Sequence, residues 1–199
     1  MMPNHIIRDA RIEDARELAE LVNYSGSGPN TNGIDLANWA SQVKNGEDPF
    51  DIGASIIASD KDYYTYKNMR VLEASGKLAA VSLSYVAWKR TPEEMEKISK
   101  NFRVFKELTN TIPGEYYLDS LAVHPEFRGC GFGEAMLEDT EILAKNRGYD
   151  AVHLLVFDNN IPAVKMYEKN GYRTQRSRPA PIDPDIPYTG NVSLYKKTL

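Results

Sequence analysis

The sequence has little from which a disulfide framework or a metal site could be built. Its 199 residues include one cysteine and three histidines. Cys130 alone cannot form an intramolecular disulfide, and no spacing between it and the histidines fits a closed zinc site. The histidines are His5, His124 and His153. We therefore expect neither disulfides nor a bound metal.

The sequence also lacks an excess of positive charge and any long apolar run. Lys and Arg total 24 against 28 Asp and Glu, a net charge of −4. Proteins that bind duplex nucleic acid usually carry a basic face, so we expect no nucleic-acid partner. A membrane-spanning helix needs about 20 apolar residues. Charged residues occur at Arg8 and Asp9, where a signal peptide would have its apolar core, so no signal peptide is expected. We expect a cytoplasmic protein with no membrane partner.

The remaining composition is that of a folded globular protein, with 42% hydrophobic and 26% charged residues. The length allows one domain over residues 1–199. Hydrophobic periodicity predicts strands at residues 6–8, 69–74, 77–88, 116–123, 150–157, 172–178 and 192–197. It predicts helices at residues 12–23, 92–110, 134–147 and 162–170. Another helix is predicted to have Asp35 as its N-cap and to run through Val43. Residues 45–60 carry no clear pattern. This order indicates an α/β or α+β fold with a mixed sheet and helices on both faces.

The most informative segment is a glycine-rich stretch between a predicted strand and a predicted helix. From Leu121 to Gly133 it reads LAVHPEFRGCGFG. Glycines at alternate positions let backbone amides approach a ligand, and Arg128 and the helix N-terminus add positive charge. Two interpretations stay open, a glycine-rich tight turn or a pyrophosphate site. A P-loop is excluded by the missing Lys-Ser/Thr, and the dinucleotide fingerprint by the two-residue step from Gly131 to Gly133.

These residues resemble the GNAT family of acyl-CoA-dependent N-acetyltransferases. The family's acyl-CoA signature, Arg/Gln-x-x-Gly-x-Gly/Ala, is matched by Arg128, Gly131 and Gly133. A later block, Asn160 to Tyr172, and the opening residues 7–15 also look like the family. The resemblance is specific over residues 116–172 and weaker over residues 6–22. It implies a mixed, mostly antiparallel central sheet whose fourth and fifth strands splay apart.

The resemblance implies acetyl-CoA as cosubstrate and no metal. The pantetheine arm would lie between the splayed strands, on backbone groups of the fourth strand, and the glycine-rich loop would hold the pyrophosphate. The implied cofactor-binding residues are Leu121, Ala122, Val123, Arg128, Gly129, Cys130, Gly131, Phe132, Gly133, Asn160 and Tyr167. Because this recognition uses the main chain, the side chains of Cys130 and Phe132 are expected to be free to vary. The family transfers acyl groups directly, so Cys130 is not expected to act as a nucleophile.

Two residues near the second motif have both a functional and a structural interpretation. Tyr167 matches the family's general acid, which protonates the departing CoA thiolate, but an inward tyrosine on a helix can also simply pack in a core. Asn160 matches the family's cofactor-contacting asparagine, and it can equally be an ordinary residue at a helix start. The neighbouring Asn159 is an alternative contact.

An amine acceptor requires a base. An alkylamine with a pKa near 10.4 is uncharged in only about one molecule in 2,500 at pH 7. The candidates on the fourth strand are Asp119 and Glu115, although both could be solvent-exposed carboxylates or strand-end caps. His124 precedes a proline in a turn and is expected to be structural. His153, in the predicted fifth strand, is expected to be a hydrogen-bonded core histidine.

The acceptor would be held by the loop at residues 24–33 and by a helical insertion at about residues 91–112, between strands 3 and 4. The insertion could be a lid, a dimer contact or a cover for the sheet, and the loop at residues 179–187 is a further candidate wall. The resemblance thus predicts transfer of an acetyl group from acetyl-CoA to a small-molecule or peptide amine, by direct attack in a ternary complex, in a chain that could form a homodimer. The alternative is a non-catalytic acyl-CoA-binding sensor or assembly module.

Overall fold

A computed structural model describes residues 4–27, 33–44, 46–182, 186 and 188–199. Seven strands form one sheet in the order β1-β2-β3-β4-β5-β7-β6. The strands are β1 (His5–Asp9), β2 (Met69–Ala74), β3 (Lys77–Val86), β4 (Tyr116–Val123), β5 (Ala151–Phe157), β6 (Arg173–Pro179) and β7 (Asn191–Thr198). Parts of the predicted loops at residues 24–33 and 179–187 lie outside the described residues.

Seven α-helices connect these strands within the described residues. They are α1 (Ala15–Ser27), α2 (Ile34–Ala40), α3 (Pro49–Ile57), α4 (Pro92–Glu96), α5 (Lys100–Thr109), α6 (Phe132–Asn146) and α7 (Ile161–Lys169). Short 3₁₀ turns precede α1, β2 and α6. No helix in this part of the chain is both long and apolar enough to cross a bilayer.

The sheet is mixed, as predicted. β4 runs parallel to β5, with Tyr116–Leu118 in register with Val152–Leu154. The β1–β2, β2–β3, β5–β7 and β6–β7 pairs are antiparallel. The splay of β4 from β5 stays a prediction.

The β2–β3 hairpin confirms a prediction made from its turn chemistry. Ser75 and Gly76 have φ of 53° and 72°, and positive φ at both central residues is the requirement of a type I′ turn. The register places Ala74 opposite Lys77. β3 ends at Val86, two residues before the predicted end.

The insertion contains two helices where the sequence predicts one. Thr91 caps α4 as expected, accepting a hydrogen bond from the Glu94 amide, while the Glu94 carboxylate accepts one from the Thr91 amide. The Lys97 amide then bonds to the Glu94 carbonyl, three residues back, with the tighter spacing of a helix end. Ser99 is not helical, with φ of −57° and ψ of 150°. The apolar periodicity continues through this break and so cannot reveal it.

The other differences concern helix ends. α1 starts with a 3₁₀ turn and runs to Ser27, past its predicted end at residue 23. Gly33 occupies the N-cap of α2, and Asp35 lies within its first turn. α3 forms in the stretch without a clear pattern: Asp48 caps it by accepting from the Phe50 amide at 2.9 Å, and Pro49 takes the first position.

The chain divides into two compact units, each of which combines two stretches of sequence. The first unit comprises Met1–Ser84 and Ser120–Thr140. One of its core clusters consists of Leu72, Ala74, Ala79, Ala80, Phe132 and Met136. The second unit comprises Tyr85–Asp119 and Glu141–Leu199. Its fully buried residues include Tyr116, Val152 and Tyr172.

Candidate active site

In the first unit, the glycine-rich loop leaves the end of β4 and enters α6 through a short 3₁₀ turn at Pro125–Phe127. His124 starts this turn: its amide donates to the Ala79 carbonyl at 2.8 Å, and its Nδ1 accepts from the Glu126 amide at 3.3 Å. These contacts confirm the structural role expected for His124.

Two glycines give the loop its path. Gly129 and Gly131 have φ of 77° and 84°, in the left-handed region that is costly for residues with a Cβ atom. A Cβ at Gly129 would meet no atom within 4 Å, so the backbone angle, and not crowding, requires glycine there.

The start of α6 supplies amide donors. The helix begins at Phe132, two residues before its predicted start, so Gly133 lies within it. The Ala135 amide bonds to the Gly131 carbonyl at 3.1 Å, which makes it the first donor of the helical ladder. The amides of Gly131, Phe132 and Gly133 precede that ladder and point out of the helix end. Such amides, together with the helix dipole, are suited to an anion.

The side chain of Phe132 is not free to vary, which corrects the sequence-based expectation. Phe132 is 1% exposed and packs with Met136 in the core of the first unit. The two residues are four apart on α6 and share its buried face. Cys130 is half-buried against the same cluster. The apolar side chains of Cys130 and Phe132 therefore anchor the loop to the core.

Arg128 places a positive charge at this loop. Its side chain is exposed, and its Nε lies 3.4 Å from the Val123 carbonyl. Its guanidinium carbon lies 5.9 Å from the centre of the Tyr24 ring, within the range of a cation–π contact. Tyr24 lies in α1, whereas the sequence predicted it to be the first residue of a loop for the acceptor. Tyr24 and Arg128 are far apart along the chain, so no local sequence pattern predicts their contact.

In the second unit, Tyr167 lies on α7 and is buried, with 7% exposure. Burial raises the pKa of its hydroxyl well above the ordinary value, so the phenol stays protonated at neutral pH. Its ring centre lies 5.7 Å from that of Tyr172. The phenol carries a proton that it could donate, its raised pKa makes it a weaker acid than an exposed tyrosine, and the same position also fills the core.

The two neighbouring asparagines differ in how their side chains are used. The Asn159 side-chain amide donates to the Thr189 hydroxyl at 3.1 Å. Asn160 occupies the N-cap of α7, and its side chain makes no capping hydrogen bond. Its backbone carbonyl accepts from the Val164 amide at 3.0 Å. The side chain of Asn160 is therefore not used in capping α7, whereas that of Asn159 is bonded to Thr189.

Both candidate bases are engaged by neighbours in the second unit. Asp119 accepts a hydrogen bond of 2.6 Å from the Tyr85 hydroxyl. Glu115, whose side chain is 46% exposed, lies with its Oε2 3.3 Å from Nε2 of His153. Neither carboxylate is simply a solvated surface charge.

His153 is a core histidine, as expected. It is 4% exposed, its Nε2 lies 3.3 Å from the Glu115 carboxylate, and within the described part of the chain its Nδ1 has no hydrogen-bond partner. Burial lowers the pKa of this imidazole, and the Lys196 charge lowers it further, while Glu115 opposes both effects. His153 is therefore neutral at pH 7.

Part of the insertion covers the sheet, one of the three roles considered for it. The ring of Phe105, on α5, contacts that of Phe157 on β5 with centres 5.8 Å apart. At the other end, the Arg90 guanidinium lies 4.2 Å over the Trp88 ring, and the Arg90 amide donates to the Asn110 side chain. These contacts all lie within the second unit.

Comparison with known proteins agrees with this fold. A solved structure described as an acetyltransferase superposes with a TM-score of 0.65 at 23% identity, over 97% of this chain and 98% of that one. A mosquito arylalkylamine N-acetyltransferase-like protein superposes with a TM-score of 0.66 at 16% identity, over 98% and 100% of the two chains. At these identities the similarity establishes the fold, which is that of GNAT acetyltransferases.

The sequence establishes the family. Residues 59–172 match the model of the acetyltransferase (GNAT) family, and the chain belongs to that family. An acetyltransferase of Yersinia enterocolitica, YE1169, is 40% identical over 60 residues, which is 30% of this chain and 40% of the relative. The match thus spans less than half the length of that curated relative.

Proposed function

We propose that the protein transfers an acetyl group from acetyl-CoA to a primary amine of a small molecule or peptide by direct attack. The observation that carries this proposal is the glycine-rich loop, where amides at the start of α6 and the exposed Arg128 offer hydrogen bonds and positive charge to one anion. A diphosphate is the part of acetyl-CoA that fits such a group of donors. Family membership supports the same cosubstrate.

Most of the proposed contacts to acetyl-CoA are made by main-chain groups. Residues 128–133 would hold the pyrophosphate, and backbone groups of Leu121, Ala122 and Val123 would bond to the pantetheine amides. We assign a further contact to Asn160 rather than to Asn159, because the Asn159 side chain is already bonded to Thr189. No metal is part of the proposed chemistry.

We assign Tyr167 the role of general acid. Its hydroxyl is protonated at neutral pH and so has a proton to give to the thiolate that leaves, while burial raises its pKa and makes it a weaker donor. A thiol with a pKa near 8.5 is already a tolerable leaving group, and the expected contribution of the acid is therefore at the lower end of the usual hundredfold to ten-thousandfold range, or below it.

The surroundings of Asp119 indicate which amines to try first. The Tyr85 ring, whose hydroxyl bonds to Asp119, lies 5.6 Å from Tyr117 and 5.8 Å from Trp88. A carboxylate whose tyrosine partner belongs to a group of three aromatic rings would suit an ammonium group on an apolar or aromatic body. The mosquito protein of similar fold is named for arylalkylamines, which supports putting these amines in the first panel.

Thermal unfolding tests the cosubstrate. Saturating acetyl-CoA and CoA should raise the melting temperature of the full chain, while NAD and ATP should not. A melting temperature that none of the four changes would contradict the assignment. A single transition, shifted as a whole by acetyl-CoA, would also support our proposal that residues 1–199 act as one domain.

Release of free CoA tests transfer. The panel should hold arylalkylamines, polyamines, amino acids, aminoglycosides and peptide N-termini, each with acetyl-CoA. Release with one class supports the acetyltransferase and identifies its acceptor. Binding of acetyl-CoA without release on the whole panel would instead favour a non-catalytic acyl-CoA sensor.

A further inference from the structure

The strand at one edge of the sheet, β6, carries a local concentration of positive charge. It reads RTQRSRP, and each of its residues is exposed. Its arginines are Arg173, Arg176 and Arg178, and the strand contains no acidic residue. The whole chain, in contrast, has a net charge of −4. The charge of this strand is therefore opposite in sign to that of the molecule.

A β-bulge brings the three arginines onto one face of the sheet. Arg173, Arg176 and Arg178 lie opposite three residues of β7, namely Lys196, Leu194 and Val192 in that order. Opposite residues share a face, and these β7 residues alternate along their strand, so all three arginines share that face. Gln175 is the extra residue at the register shift. Without it, Arg173 would lie on the face opposite to Arg176 and Arg178.

This row of arginines is not neutralised within the described part of the chain. The ion pairs found there involve none of the three. Arg173 lies directly opposite Lys196, and like charges in that position repel. The Arg173 guanidinium donates only to backbone carbonyls, at 2.7 and 2.9 Å, and that of Arg178 to the Ser177 carbonyl at 3.1 Å. These guanidinium groups are therefore available to carboxylates of another molecule.

The backbone of β6 offers a second set of binding groups. Among the described residues, β7 is its one neighbour in the sheet. On the other side of an edge strand, alternate N–H and C=O groups point outward, and an extended peptide can add there as a further strand. Residues two apart in a strand are about 6.7 Å apart, so alternate carboxylates of an added strand would match the spacing of Arg176 and Arg178. A guanidinium binds a carboxylate through two parallel hydrogen bonds.

Two other occupants of this edge fit less well. A second copy of the chain, paired through β6, would bring two rows of arginine together, and such like-charge contacts are unfavourable. A nucleic acid has no peptide groups with which to continue the hydrogen-bond ladder. It would also be repelled by the rest of a chain whose net charge is −4. An extended acidic peptide satisfies both the charge and the backbone.

We propose that β6 is a docking strand for an extended acidic segment of a partner protein. The segment adds to the free edge, with carboxylates at alternate positions bound to Arg176 and Arg178. Arg173, beyond the bulge, contributes a third positive charge on the same face. All of these residues belong to the second unit. The inference goes beyond acetyl transfer and does not depend on it.

Binding of designed peptides to the full chain tests the surface. The probe is a short peptide in which glutamate alternates with threonine or valine. One control replaces each glutamate by glutamine, and another replaces the residues between the glutamates by proline, which keeps the charge but removes backbone donors. By calorimetry, the glutamate peptide should bind, more weakly at high salt, and both controls at least tenfold more weakly. Its binding should shift the amide NMR signals of residues 173–179.

Variants of the chain test the arginines. Arg176→Gln combined with Arg178→Gln should lower the affinity for the glutamate peptide at least tenfold. Both side chains are exposed, so the melting temperature and its shift with acetyl-CoA should stay unchanged. Arg11→Gln, which removes an exposed arginine from the first unit, is the matched control and should leave the affinity for the peptide unchanged.

Several results would overturn the proposal. They are no binding of the glutamate peptide, equal binding of the proline peptide, and an affinity that the double variant does not change. Tighter binding of a single-stranded oligonucleotide than of the peptide would indicate a nucleic-acid surface instead. A dimer in analytical ultracentrifugation that the double variant abolishes would indicate a contact between copies. Failure to bind acetyl-CoA would overturn the acetyltransferase and leave this proposal in place.

Discussion

The hydroxyl of Tyr85 donates a hydrogen bond of 2.6 Å to the carboxylate of Asp119. Within the second unit, this bond joins the strand before the insertion to the strand after it. It also distinguishes Asp119 from Glu115, the carboxylate just before β4, which lies against His153. The two residues are therefore not interchangeable candidates for the base.

The first prediction concerns Asp119. If Asp119 holds the ammonium group of the acceptor, Asp119→Asn should raise the amine KM about tenfold and change kcat little. Tyr85→Phe should raise KM by less, since it removes only the bond that orients the carboxylate, a loss of about 0.5–1.5 kcal/mol. Steady-state kinetics with the amine varied at saturating acetyl-CoA measures both. A collapse of kcat in Asp119→Asn, with loss of the acidic limb, would assign the base to Asp119.

The second prediction concerns Gly131. Gly131→Ala forces a Cβ atom into a left-handed backbone, where the cost is about 1–2 kcal/mol, and alters the loop at the proposed diphosphate contact. Acetyl-CoA affinity, measured by calorimetry, should fall at least tenfold, and Gly131→Glu should abolish binding by repelling phosphate.

The control for Gly131 is Gly190, which has the same φ of 84° and has no atom within 4 Å of a Cβ added there. Gly190→Ala should cost similar stability and leave acetyl-CoA affinity unchanged. Equal affinities in the two alanine variants would remove the loop from cofactor binding.

The third prediction concerns Tyr167. Tyr167→Phe should keep acetyl-CoA binding and lower kcat about tenfold or more, because it removes a proton donor without opening a cavity. Tyr172→Phe is the matched control, since that phenol is also buried and lies against Tyr167. Stopped-flow measurement of CoA release compares the two. An unchanged rate in Tyr167→Phe would leave that residue with a packing role alone.

The fourth prediction concerns stability at acid pH. Asp14 accepts two hydrogen bonds from the Arg8 guanidinium, at 2.7 and 3.0 Å. Burial acts to raise the pKa of Asp14, but the bonds from Arg8 and from the Arg11 amide outweigh it and hold the pKa below its ordinary value. A carboxyl group whose pKa is lower in the folded than in the unfolded protein stabilises the fold at pH values above the unfolded-state pKa, near 3.9. This stability is lost as the pH falls through the folded-state pKa.

Arg8→Met should therefore reduce the free energy of unfolding at pH 7 by about 1–3 kcal/mol and flatten its decline below about pH 4. Urea unfolding at several pH values measures both effects. Arg16→Met provides the control, because Arg16 is 41% exposed and its ion pairs lie in solvent. Its expected cost is below about 1 kcal/mol. If the free energies of unfolding of wild type and Arg8→Met declined in parallel at acid pH, this would contradict the role assigned to the Arg8–Asp14 pair.

Much of the fold could be predicted because its signals are local. The turn at Ser75 and Gly76, the cap at Thr91 and the alternation of strands and helices all depend on neighbours in the sequence. The same holds for the glycine-rich loop, whose backbone angles require glycine at specific positions. The mixed sheet and the family were accordingly predicted in advance.

The remainder depends on partners that are distant along the chain. The sequence does not reveal that Tyr85 bonds to Asp119, or that Glu115 lies beside His153, because these pairs are 34 and 38 residues apart. Phe132 was misjudged for a related reason, since its burial depends on residues of β2 and β3. The break in the helix before Ser99 could not be predicted from the sequence because the same apolar spacing continues on both sides of it.

The burial of Phe132 means that the amides proposed to bind the diphosphate are preorganised. A glycine-rich segment would ordinarily lose considerable conformational entropy on closing around a ligand. Here an aromatic anchor within the hydrophobic interior fixes the first turn of α6 as the chain folds, so that ordering is complete before any thioester arrives. Substitutions in that interior, far from any phosphate, will consequently change cosubstrate affinity as well as folding.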